Sequence, residues 1–144
     1  MECMAVQPQY QWISEHQMVK SDIGVITNAR PDHLDEMGPT EEDVAKSLCN
    51  SIPTNGTLIT AEEKHKSILQ SVANSNKSDI VFSDESTITM DELNKFKYIE
   101  HPQNIAIALD VCDKMGIKRD IALKGMHSVQ PDLGALIVWK LKVD

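Results

Sequence analysis

Three short β-branched runs, separated by stretches of helical pattern, constrain most strongly what this chain can fold into. Residues 23–27, 57–60 and 79–82 each have the length and composition of a buried strand. The intervals between them are far longer than a hairpin loop and long enough for a crossover helix, which parallel neighbours require. The expected class is therefore α/β, a mostly parallel sheet with flanking helices. The first helix is expected over residues 10–19. A second starts at Thr40, whose hydroxyl can cap it while Glu41, Glu42 and Asp43 favour its positive end, and Pro53 and Gly56 close it. A third, 62–72, carries Ile68, Leu69 and Val72 on one face before the polar turn 74–77. In 103–115, Ile105, Ala108, Leu109, Cys112 and Met115 form a stripe that Gly116 ends. A short helix over 120–126 and an alternating strand over 136–143 complete the pattern.

With 144 residues, 41% hydrophobic and 25% charged, the composition is that of one globular domain with a real core. The formal net charge of −8 excludes nucleic acid as the main partner, since that calls for clustered Lys and Arg. No apolar run reaches the roughly 20 residues that span a bilayer, and no secretory signal opens the chain, so a cytoplasmic location is expected. Cys3, Cys49 and Cys112 are an odd number at wide spacing and are expected to be buried, reduced thiols.

The run N-A-R-P-D-H-L-D at 28–35 follows directly on the first strand. It sets His33 between Asp32 and Asp35 at a strand's C-terminal end, the edge where open α/β sheets bind ligands. A histidine beside acids is commonly a surface or capping residue. It can also be a cation ligand, because a neutral imidazole ligates Mg²⁺ or orients its water shell while the carboxylates fix the ring tautomer. Glu2 by itself is an acid in a solvated end. Asn104, at the start of the 103–115 helix, is most simply an N-cap.

The 28–35 run resembles the N-x-x-x-D-H-[LM]-D signature of the Mur ligase superfamily, ATP-dependent enzymes that join an amino acid to a carboxylate through an acyl phosphate. E-C-M-A-V at 2–6 with Pro8 and Tyr10, then G-V-I-T-N-A-R-P-D-H-L-D-E-M-G-P-T at 24–40, are similar to the poly-γ-glutamate synthase ligase subunits of that superfamily. The resemblance implies a partial central ATPase domain over 1–135, with 136–144 beginning a C-terminal domain or forming an edge strand. It implies ATP and Mg²⁺ as cofactors and glutamate or a polyglutamate chain as substrate. Membrane subunits of a synthase complex are the implied protein partners. On the matching positions it makes Asn28, Asp32 and His33 catalytic and gives His33 to the second Mg²⁺. Glu2 takes the place of the glutamate that bridges the metal ions on the nucleotide phosphates, a role suited to a hard oxygen ligand. H-P-Q-N-I-A-I-A-L-D at 101–110 is similar to the family's H-N-x-x-N-x-x-A-A, whose second asparagine contacts adenine; here that is Asn104, and Pro102 stands where the first Asn usually does. Asp132, within G-M-H-S-V-Q-P-D-L-G-A at 125–135, is the implied nucleotide-side residue.

Two departures bear on activity. The superfamily's carbamylated lysine would fall near Cys49, while Lys46 is out of register and reads as a solvated helix residue. The sequence also contains no G-x-x-x-x-G-K-[ST] phosphate loop, which the family supplies upstream of the Glu2 strand. The expectation is a ligase fragment, lacking the phosphate-loop half of the sheet and inactive alone. The rival expectations are a non-catalytic subunit or interaction protein derived from a degenerate ligase core, and a folylpolyglutamate-synthase-like ligase built on the same core.

Overall fold

The computed structural model describes residues 1–130. Its centre is a three-stranded parallel sheet in the order β1 (Ile23–Ile26), β2 (Thr57–Thr60), β3 (Asp79–Phe82). Ile23 pairs with Thr57 and Thr57 with Asp79, and the ladders run unshifted to Ile26, Thr60 and Phe82. All three strands therefore end at one edge. The middle strand T-L-I-T is buried throughout, as a strand covered on both faces must be.

The first helix is α1 (Pro8–Ile13), prolonged as a π-helical turn over Ser14–Val19. Lys20 closes it with a left-handed φ of 53°. Buried Glu15 takes both the backbone N–H and the hydroxyl of Ser21, which turns the chain into β1. After β1 come the single turn α2 (Leu34–Met37) and then α3 (Glu41–Leu48). Thr40 caps α3 as expected: its hydroxyl accepts the Asp43 N–H, and the Asp43 carboxylate accepts the Thr40 N–H in return. Gly24 lies so close to the chain after α3 that a Cβ would meet Cδ of Pro53 at 2.6 Å.

The next helix, α4, covers Lys66–Ser75 and not 62–72. Glu62 stays outside it because its carboxylate is committed to backbone donors, described below. Ile26, Cys49, Ile52, Leu58, Leu69 and Ala73 form the core between sheet and helices, each large side chain contributing about 1.5–3 kcal/mol. Burial pushes the Cys49 thiol up to about 11, consistent with an inert core thiol. Cys3 departs from expectation, because it sits exposed in the irregular segment before α1; Cys112 is half-buried.

The chain divides into two compact units, Met1–Ser83 and a second starting at Asp84. The second unit has its own core of Ile88, Ile105, Ala106, Leu109 and Ala122. It contains the short α5 (Met90–Leu93), then α6 (Pro102–Lys114) packed on α7 (Arg119–Ser128). Ile105 and Leu109 of the expected stripe are buried, whereas Met115 is 64% exposed. The expected strand over 136–143 lies outside the described residues. No helix among those described is long and apolar enough to cross a membrane.

Candidate functional site

The N-A-R-P-D-H-L-D run leaves the sheet at the C-terminal end of β1, as its position after a hydrophobic run implied. Asn28 is half-buried, Ala29 is buried, and Asp32 and His33 reach solvent. His33 precedes α2 with φ 46° and ψ 45°, left-handed for a residue with a Cβ, a conformation that costs about 1–3 kcal/mol and persists only where neighbouring contacts hold it. The Asp32 carboxylate accepts the His33 N–H at 2.9 Å and lies 3.7 Å from its Nε2. Gly38 closes the segment at φ 118°, where a Cβ would also strike Cβ of Asp43 at 2.5 Å. The stretch from His33 to Asp43 is thus set by backbone geometry that few other residues tolerate. Beside it lies a cleft of about 320 Å³ lined by Pro39, Asp43, Lys46 and Ser47 among others. Lys46 is an exposed helix residue whose ammonium pairs with Glu42 at 2.7 Å.

The strongest anchor of the loop comes from a residue outside the motif. Glu62, 5% exposed, lies two residues beyond β2 at the same sheet edge. One carboxylate oxygen accepts the Ala29 N–H at 2.7 Å and the other accepts the His65 N–H at 3.0 Å. Its own N–H donates to the buried Thr60 hydroxyl at 3.0 Å. Glu62 thereby joins the exit of β1, the exit of β2 and the entry of α4. His65 follows as the N-cap of α4, buried, its Nε2 without a hydrogen-bond partner among the described residues and 3.7 Å from Glu41. Glu41 is held below the usual carboxylate range by the Lys64 ammonium that bonds it. Ser83, just past β3, buries a hydroxyl that is likewise unpartnered among the described residues, while its N–H donates to the Thr60 carbonyl at 2.7 Å.

The remaining expected site residues are distributed less compactly. Glu2 is exposed in the irregular segment before α1 and belongs to no strand. Among the described residues no hydrogen bond or ion pair joins it to His33, and no group of three or more His, Cys, Asp or Glu side chains is poised to hold a metal. Asn104 is not the N-cap of its helix. Pro102, favoured at the first helical position, starts α6 earlier and makes His101 the cap. Asn104 then falls in the first turn, exposed, its side-chain amide donating to Glu100 at 3.0 Å. Asp132 lies outside the described residues.

The Mur ligase middle-domain model matches residues 4–139. The chain belongs to the Mur ligase family. It is 40% identical over 139 residues to the capsule biosynthesis protein CapB of Bacillus anthracis, covering 96% of this chain and 30% of that protein. It is 37% identical over 140 residues to the PGA synthase CapB of Bacillus subtilis, covering 97% of this chain and 36% of that one. The chain thus spans about a third of the length of these relatives. The E. coli FolC structure in complex with DHPP and ADP superposes with a TM-score of 0.60 at 20% identity, covering 77% of this chain and 30% of that one, a likeness of fold. A Mur ligase middle domain accounts for the motif edge, but Glu62 and His65 were not singled out from the sequence. The available signal was T-A-E-E directly after a predicted strand, acids at the same sheet edge as the histidine motif.

Proposed function

We propose that this chain contributes the middle-domain site of an ATP-dependent amide ligase of the poly-γ-glutamate type. The observation that carries the reading is identity of 37–40% to two CapB proteins across nearly the whole chain, with the histidine motif at a sheet edge built to hold it. In this reaction a γ-carboxylate attacks the ATP γ-phosphate, and the amine of an incoming glutamate displaces phosphate from the acyl phosphate. Mg²⁺ takes few protein donors and completes its shell with water and phosphate oxygens. When bound, the ion neutralises charge developing on the phosphates. His33 and Glu2 are the residues that would hold it, with Asp32 orienting the imidazole and Asn28 lining the same loop. Asn104 and Asp132 are the nucleotide-side residues of this reading, and membrane subunits of a synthase are its protein partners.

The test is a chimera in which residues 4–139 replace the matching segment of the B. subtilis CapB. Glutamate-dependent release of ADP is expected, and His33→Ala should lower it about 10- to 100-fold, the usual loss for a residue of a metal's shell. A folded chimera whose rate is unchanged by His33→Ala would remove the motif from the chemistry. A folded chimera that binds ATP and Mg²⁺ without turnover would favour a non-catalytic interaction protein.

A further inference from the structure

We propose that Glu62 is the positioning residue of this edge: by holding the backbone N–H of Ala29 it sets where Asn28, Asp32 and His33 are presented. Its carboxylate is buried, makes no ion pair among the described residues, and directs each oxygen at a backbone donor. A buried carboxylate is costly unless hydrogen-bonded, so two main-chain donors from segments 33 and 3 residues away are an arrangement the fold must maintain. The bond to Ala29 is the shorter, and it falls three residues after Ile26, where the chain leaves the ladder. The left-handed turn at His33 lies four residues on and carries no side-chain cap of its own. Pinning at Ala29 fixes the path by which the chain enters that turn. The bond to His65 fixes the same carboxylate to the start of α4, so Glu62 cannot follow the loop if it moves. That it serves a cation-binding loop rests on the function proposed above; that it fixes the loop does not.

The experiment uses the 144-residue chain. In the unmodified protein, a through-hydrogen-bond scalar coupling between the Ala29 amide nitrogen and the Glu62 carboxyl carbon is expected, and its absence overturns the proposal. In Glu62→Gln one oxygen becomes an NH₂ group facing an N–H, so one bond becomes a clash of donors. Amide exchange at Ala29 through His33 should then accelerate about tenfold or more while Leu58 and Ile59 keep their protection. Equal acceleration everywhere, or none at Ala29, makes Glu62 a residue of general stability and overturns it. Mn²⁺ in the presence of ATP gives the functional readout: broadening of Asn28–His33 resonances in the unmodified chain, with a midpoint about 10- to 100-fold higher in the variant. Loss of broadening from both proteins defeats the metal reading of His33 and leaves the coupling and exchange results to decide Glu62. An equal midpoint in both defeats the positioning role.

Discussion

Each unit of the molecule is organised around a glutamate, and the two are used in opposite ways. In Met1–Ser83, Glu62 faces two backbone N–H groups from distant segments and meets no cation among the described residues. In the unit that starts at Asp84, Glu92 sits in a capping box with Thr89, and Arg119 donates to both of its oxygens at 3.0–3.1 Å. Arg119 also bonds the Thr87 carbonyl, and the His127 ring meets the Glu92 carbonyl while packing edge-on against Phe96. Glu92 closes a lock between two helices. Glu62 holds a loop whose side chains are left open to solvent. The comparison teaches that a carboxylate shared between its own helix cap and a cation secures packing, whereas one satisfied by main-chain donors of two segments fixes a backbone path and leaves neighbouring side chains free to meet a ligand.

The largest effects should come from the two cores, and they test whether the two units differ in packing as well as in polar design. Leu58→Ala and Ile105→Ala each remove a fully buried branched side chain and should each cost about 2–5 kcal/mol. Denaturant unfolding of both variants checks this. A cost below about 1 kcal/mol for Ile105→Ala alone would mean that the second unit relies on the Glu92 lock more than on its core.

Next in size is Glu92→Gln, expected to cost about 1–2 kcal/mol by weakening the cap and the bonds to Arg119. Its signature is the pH profile. The Glu92 carboxyl is held below the usual carboxylate range, chiefly by the Thr89 backbone N–H and also by Arg119. A depressed carboxyl contributes stability that is present above its unfolded pKa and lost as pH falls through the folded value. The variant should therefore lose less stability than the unmodified protein between about pH 5 and pH 3. Parallel acid profiles would show that the lock works through geometry alone.

The smallest effect is expected at Lys46, beside the cleft near the histidine motif. Its pair with Glu42 is solvent-exposed, and Lys46→Met should leave the melting temperature essentially unchanged, as measured by a thermal scan. A clear drop in melting temperature, by the same measure, would show that the exposed edge draws on paired charge after all, and would erase the contrast with Glu92.

The sequence by itself determined the α/β class, the three strands to within a residue, the Thr40 cap and the histidine motif at a strand end. These follow from local rules: β-branched runs, hydroxyl caps and helical stripes act over a few residues and leave a readable pattern. The family resemblance was equally legible because the motif is contiguous. Tertiary structure decided what depends on partners far along the chain. Glu62 reads as the start of a helix until Ala29, 33 residues earlier, claims its carboxylate. Asn104 reads as a cap until Pro102 starts the helix before it. Periodicity reports which face of an element is buried; which donor a buried carboxylate will meet is set only when separate strands end at one edge and bring their loops within hydrogen-bonding distance.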